Sequence, residues 1–224
     1  MNFLIVFLGL IPSFIWLSFF LQEDIHPEPR KMIFSVFVAG VFAALGAYFI
    51  QIWADGRFLT LGVLSQSLPY LSAFAAIEEL LKFLAAYVII RHSKYFDEPI
   101  DAMIYMMTAA MGLAAVENIA IAFNNGLAAV TFGSLMFRFL GATLLHALSS
   151  STLGYYWARG IVQRHVPMYL TWGFAMAILL HTVFNYYVVV FENGFIYSIG
   201  VVVLAAFFVL FDFEKLKKND TILS

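Results

Sequence analysis

The sequence predicts an all-α fold: a polytopic membrane helical bundle of seven transmembrane helices, N-terminus outside and C-terminus cytoplasmic. Three observations predict it. The 224 residues are 63% hydrophobic and 12% charged, whereas soluble domains run near 45–50% apolar and about 25% charged. The apolar residues gather into seven runs, each near the roughly 20 residues that a tilted helix needs to cross a bilayer. The basic residues fall almost wholly on alternate connections. Helices follow because backbone polar groups in lipid must be satisfied within the segment. The runs are too long for the alternating strands, about ten residues each, of an outer-membrane barrel.

The runs follow one another with short polar connections between them. Phe3–Leu21 has no basic region before it and no small-residue cleavage site after it, so it reads as a retained span rather than a signal peptide. A polar connection, Gln22–Lys31, carries Pro27 and Pro29 and leads to Met32–Trp53. Ala54–Ser67, with Asp55-Gly56-Arg57, reads as the loop before Leu68–Ile90. The charged connection Arg91–Pro99 precedes Ile100–Phe123, which ends at the turn signal Asn124-Asn125-Gly126. Thr131–Trp157 follows, then Gly160–Met168 with Arg164 and Pro167. Tyr169–Val190 and Phe195–Phe211 are joined through the reversal Glu192-Asn193-Gly194, and the rest reads as a polar tail. No internal repeat or low-complexity segment interrupts the series, so residues 1–224 read as a single membrane-embedded domain.

Charge fixes the expected orientation. With seven spans, one side receives Arg30, Lys31, Arg91, Lys94, Arg159, Arg164, Lys215, Lys217 and Lys218, and the other only Arg57. Cytoplasmic loops carry the excess of Lys and Arg. No basic tract suggests nucleic acid, so the expected partners are the lipid bilayer and whatever the site acts on. The absence of cysteine excludes disulfides, thiol catalysis and cysteine metal sites.

The third run is not simply apolar. Glu78, Glu79 and Lys82 lie near its middle, where each charge costs roughly 2.5–3.5 kcal/mol on insertion scales. Lys82 is three residues after Glu79 and four after Glu78, within reach of either carboxylate on a helix. Three other runs carry candidate partners: Glu117 with Asn118, His146 with Ser150, and His181 with Asn185. The last two pairs are spaced i, i+4 and so share a helix face. In the expected orientation the glutamate pair and both histidines lie near mid-bilayer, with Glu117 and Asn118 nearer the outer end of their helix. Arg138, near the outer start of the fifth run, reads as a cation reaching to the headgroups.

A lone Glu–Lys pair in a span is commonly structural glue, and a lone histidine a satisfied core residue. Acidic and imidazole groups from four helices at similar depth point instead to a site. Two chemistries fit. In one, Glu117, His146 and His181 hold a divalent metal such as zinc while Glu78 or Glu79 activates its water. In the other, a glutamate and a histidine activate water without metal, and His181 with Asn185 stabilises an oxyanion.

At these residues the chain resembles a known family. Glu78-Glu79-Leu80-Leu81-Lys82 is similar to the EExxK motif of the PrsW-type intramembrane proteases, within the wider CAAX-protease and bacteriocin-processing (CPBP, or Abi) superfamily. The likeness continues through Phe96-Asp97-Glu98-Pro99-Ile100-Asp101, Glu117-Asn118, His146, and His181 with Asn185, covering roughly Ala75 to Tyr186; Glu28-Pro29 is similar as well. Leu113 departs from the phenylalanine common in relatives at that place. The resemblance implies a stress-response metalloprotease or glutamate protease of the bacterial inner membrane. Its substrate would be a membrane-anchored protein, an anti-sigma factor in the best-known relatives. The family's essential groups would be Glu78, Glu79 and His181 here, with Glu117, His146 and Asn185 as further site members and Lys82 and Asn118 in support.

The expectation is therefore an intramembrane endopeptidase with a catalytic core at about residues 68–190. The rival is a proton- or cation-coupled transporter, since intramembrane carboxylates and histidines also build proton relays. Transporters usually show repeats and broken helices; apart from Pro69 at the start of the third run, the spans between Leu68 and Val190 lack proline, and no repeat is visible. A third reading is a scaffold with a buried polar network.

Overall fold

The computed structural model describes residues 2–125 and 132–223. Among these residues the fold is all-α. The helices are α1 (Asn2–Phe20), α2 (Arg30–Thr60), α3 (Leu68–Ile90), α4 (Asp101–Asn125), α5 (Phe132–Phe137), α6 (Leu144–Val162), α7 (Val166–Val190) and α8 (Gly194–Leu223). A 3₁₀ turn, Leu21–Glu23, extends α1. A π-helical turn, Arg138–Thr143, joins α5 to α6, so the predicted fifth run is one helix with a widened turn inside it. Gly126 of the predicted turn, and Thr131 at the predicted start of that run, lie outside the described residues.

Two expected boundaries move. α2 runs on to Thr60 and absorbs Asp55-Gly56-Arg57. The Arg57 guanidinium lies 5.6 Å from the Trp53 ring one turn back, and the Tyr70 hydroxyl donates to Asp55 at 2.8 Å. The helix stops where Gly62 adopts φ 69°, with Val63 N–H bonding back to the Phe58 carbonyl, a left-handed stop that glycine adopts without a Cβ clash. α8 likewise absorbs the predicted tail. Lys215 pairs with Asp212, and Lys217 pairs with Glu214 and, across the bundle, with Glu23.

α4 is the axis of the bundle. From Asp101 to Ala115 every residue is buried, and α1, α2 and α6 pack around it. Small residues permit that closeness. A Cβ on Gly40 of α2 would lie 2.1 Å from the Ala109 carbonyl, and one on Gly112 of α4 would lie 2.1 Å from the Phe37 carbonyl. Gly154 of α6 approaches the Ala102 carbonyl in the same way. Backbone meets backbone, as small residues allow between membrane helices. α3 lies against α2 and α7, and α8 closes the bundle on α6 and α7.

Five segments are long and apolar enough to cross a membrane: Val6–Glu23, Arg30–Thr60, Asp101–Asn124, Val166–Val190 and Gly194–Lys218. α3 and α6 fall outside that set. They are the helices that carry Glu78, Glu79 and Lys82, and His146 with Ser149, Ser150 and Ser151. The polar groups that lower their hydropathy are largely turned inward: Glu79, Lys82, His146 and the three serines are all buried.

Candidate functional site

Glu79 is the most enclosed group. No part of its side chain is exposed. One oxygen accepts from the Lys82 ammonium at 2.6 Å, from the Ser149 hydroxyl at 2.8 Å and from His181 Nδ1 at 2.9 Å. The other accepts from Ser150 at 3.1 Å. The i+3 spacing within α3 supplies the lysine. Two successive serines of α6 supply the hydroxyls, and α7 supplies the imidazole. A carboxylate this deep is tolerable only because it is paired and hydrogen-bonded throughout.

Glu78 is held differently. Helical geometry turns its side chain about 100° from that of Glu79. One oxygen accepts from the Gln51 amide of α2 at 2.8 Å. The other, Oε2, is buried and has no hydrogen-bond partner among the described residues. It lies 3.6 Å from His181 Nε2 and 3.9 Å from His146 Nδ1. The imidazoles stand edge to face, with ring centroids 5.0 Å apart and planes at 87°.

Each histidine is gripped on its far side. His146 Nε2 lies 2.9 Å from Glu117 Oε2, and His181 Nδ1 lies 2.9 Å from Glu79 Oε1. A carboxylate only accepts, so these bonds assign the proton of each neutral ring to the far nitrogen. The lone pairs of His146 Nδ1 and His181 Nε2 face Glu78 Oε2. Lys82 Nζ also approaches His146 Nδ1, at 3.4 Å. This arrangement, a carboxylate behind each imidazole and a lone pair in front, is how histidine ligands of metals are oriented.

The fit to a metal can be tested on these atoms. Glu78 Oε2, His146 Nδ1 and His181 Nε2 all lie within 4.8 Å of one another. Ligands bonded at about 2.0–2.1 Å in a tetrahedral site stand roughly 3.3 Å apart, a few tenths of an ångström closer than the two separations from Glu78. Two imidazoles and one carboxylate, whose facing oxygen is orphaned, fit a divalent cation with a position left open. The sequence offered Glu117 as the carboxylate beside the two histidines. In the structure Glu117 stands behind His146, and Glu78 occupies the facing position.

Glu117 is the more open end of the cluster, with its side chain 29% exposed. Arg138 donates to it at 3.4 Å and to the Asn118 side-chain oxygen at 2.5 Å. Asn118 in turn donates to Thr143 at 3.1 Å. Arg138 and Thr143 are the two ends of the π-helical turn, a local widening often found at functional sites. The expectation that Arg138 reaches outward to headgroups is thus corrected: its guanidinium turns inward because two acceptors on α4 await it. Asn185 lies one turn beyond His181 on α7, half-buried, and makes no hydrogen bond with a described residue of the cluster.

The sequence reading brought together five of these groups, Glu78, Glu79, Glu117, His146 and His181, along with Lys82 and Asn118. It missed Gln51, Ser149 and Arg138 as members. Gln51 carried a signal, as an isolated amide within an otherwise apolar run. Ser149 carried a weaker one, in the run Ser149-Ser150-Ser151 beside a histidine.

The fold and the cluster define a class: a multi-pass membrane enzyme whose carboxylates and imidazoles are sequestered between its helices. The particular assignment comes from comparison with known proteins. The chain belongs to the PrsW family of intramembrane metalloproteases, whose profile matches residues 28–211. It is 26% identical over 222 residues to Protease PrsW of Oceanobacillus iheyensis, covering 96% of each chain. It is 26% identical over 223 residues to Protease PrsW of Bacillus subtilis, covering 98% of this chain and 97% of that one. Against Protease PrsW of Geobacillus kaustophilus the identity is 27% over 180 residues, 80% of this chain and 76% of the relative. No solved structure matches the chain. Family membership makes the protein a hydrolase and sets the transporter reading aside.

Proposed function

We propose that the protein is a seven-span intramembrane endopeptidase that cuts a membrane-anchored protein, with Glu78, His146 and His181 as the ligands of a catalytic divalent metal such as zinc. The observation that carries this reading is the orphaned Glu78 Oε2 facing two imidazole lone pairs, each imidazole fixed from behind by a carboxylate. A metal bound there supplies Lewis acidity and a water of lowered pKa. The chain's own groups do the rest. Gln51 holds Glu78 so that Oε2 faces the histidines. Glu79 and Glu117 hold the ring protons of His181 and His146 on their far nitrogens. The Lys82 ammonium, 2.6 Å from Glu79 and 3.4 Å from His146 Nδ1, is a buried cation that neutralises Glu79 beside the two imidazoles. Asn185, a turn beyond His181, is an amide available to an extended substrate backbone. Arg138 and Asn118 steady Glu117.

In this reading residues 1–224 form one membrane-embedded protease domain with its core at about 68–190. α3 and α6 cross the bilayer despite their polar faces, because those faces are buried against neighbouring helices. The basic residues put the N-terminus outside and the C-terminus in the cytoplasm. An anti-sigma-factor-like substrate follows from the family resemblance.

Two measurements on purified protein test the assignment. Metal content should be near one equivalent in the parent chain and lost in Glu78→Gln and His181→Ala. Cleavage of a membrane-anchored reporter should disappear with it. Variants that fold, keep their metal and still cut would overturn the ligand set.

A further inference from the structure

We propose that the crevice between α6, α7 and α8 is a binding site for one anionic phospholipid, distinct from the proteolytic centre. The crevice encloses about 660 Å³. Its deep part is apolar, with Leu180 and Val183 of α7 facing Leu204 and Phe208 of α8. His181 belongs to a different face of α7, the one turned toward Glu79. The polar groups of the crevice gather at one end, where α6 stops and α7 begins. Arg159 and Lys215 are both there, with a single carboxylate, Asp212, between them.

Charge and height choose the occupant. Lys215 pairs with Asp212 at 3.3 Å and lies over the Phe211 ring at 4.4 Å. The Arg159 guanidinium makes no hydrogen bond or ion pair with a described residue, although Asp212 acts on it through space. Two cations against one carboxylate leave a single positive charge, which matches the one negative charge of a phosphodiester headgroup. The Tyr155 ring, 5.7 Å from the Lys215 ammonium, sits at the same level, as amphipathic rings do at a headgroup boundary. Along α8 the crevice runs from Val201 to Lys215, about 20 Å at 1.5 Å per residue. That height spans a headgroup region and about one leaflet of a hydrocarbon core roughly 30 Å thick. A crossing peptide helix would need a groove through the whole core. The polar end lies on the side assigned above to the cytoplasm, where anionic lipids attract basic residues.

The test is native mass spectrometry of the full chain, delipidated in detergent and titrated with phosphatidylglycerol or phosphatidylcholine. One phosphatidylglycerol per chain should bind in preference to phosphatidylcholine. Arg159→Gln and Lys215→Gln should each weaken binding roughly fivefold. Leu204→Trp should abolish it by filling the crevice with both cations intact. Asp212→Asn should tighten it, a gain that misfolding cannot imitate. Equal binding of the two lipids, or phosphatidylglycerol affinity unmoved by these four changes, would overturn the site. So would a photo-cross-linker at Leu204 that captures a transmembrane peptide in preference to lipid.

Discussion

Glu78 and Glu79 are neighbours in sequence with different surroundings, and their substitutions should separate. Glu79 neutralises a lysine that has no exposed surface. Glu79→Gln leaves that ammonium buried without its counter-charge, a change that destabilises by roughly 3–5 kcal/mol. Thermal unfolding in detergent should show a marked fall, and Lys82→Met added to Glu79→Gln should recover part of it. Glu78→Gln keeps the side-chain volume and the link to Gln51, so with metal chelated its unfolding temperature should match that of the parent, whereas added metal should raise the parent's and leave the variant's unmoved. Gln51 tests the orientation of Glu78 without touching a ligand. Gln51→Ala removes one donor to Glu78, and metal affinity should weaken about 10–100-fold, as for other residues that orient ligands. Competition with a chromophoric chelator measures it; an unchanged affinity would mean that Glu78 is held by packing alone.

At the scale of elements, the crossing of α2 over α4 sets where Gln51 and Glu117 lie. Gly40 and Gly112 let the two backbones touch. Gly112→Ala or Gly40→Ala inserts a methyl where backbone atoms already stand, and overpacking of this kind costs typically 1–3 kcal/mol or more. Both variants should unfold at lower temperature, and both should lose activity by more than their stability loss explains, because the helices must separate. Another element-scale contact is the α1–α2 connection. Asp24 accepts the backbone N–H groups of His26 and Glu28, and Glu28 accepts from the Tyr105 hydroxyl of α4. Burial raises the Glu28 pKa above its ordinary 4.5; Asp24 and Asp97 add to the rise, and the Tyr105 hydrogen bond opposes it. The folded chain therefore holds this proton more tightly than the unfolded chain. Its contribution to stability is fully present below about pH 4.5 and declines as pH rises from there through the folded pKa. Glu28→Gln should flatten that part of the stability profile, measured by thermal unfolding across pH in detergent.

For the whole molecule, the distribution of charge makes a prediction independent of the site. A fluorescent protein fused after Ser224 should fold and fluoresce in the cytoplasm, and a periplasmic-type reporter fused there should stay inactive. The reverse result would contradict the nine-to-one bias of basic residues and with it the inner placement of the α6–α8 crevice. The same scale explains the two helices of lower hydropathy. α3 and α6 need neighbours, since their polar faces have no place in lipid, so the site and the bundle should form together. Changes that unseat α7 should release protection of both at once in hydrogen exchange.

Much of this was legible in one dimension. Long apolar runs dictate helices, because in lipid a backbone has nowhere else to place its hydrogen bonds. Charges that a lipid environment would reject, such as Glu79, Lys82 and Glu117, announce a buried polar site wherever they fall within such runs. The i+3 and i+4 spacings around Glu79 and His181 are local geometry and can be read from the chain. What the chain could not decide was which ring nitrogen faces which carboxylate. Glu117 and Glu78 are equivalent in the sequence as partners of two histidines. Only the packing of α3 and α4 against α6 and α7 sends one behind His146 and leaves the other in front. Arg138 turned inward, Gln51 reaching Glu78 and the crevice beside α8 have the same origin. They depend on the angles at which distant helices cross, and those angles are set by the small residues where backbones meet rather than by any residue of the site itself.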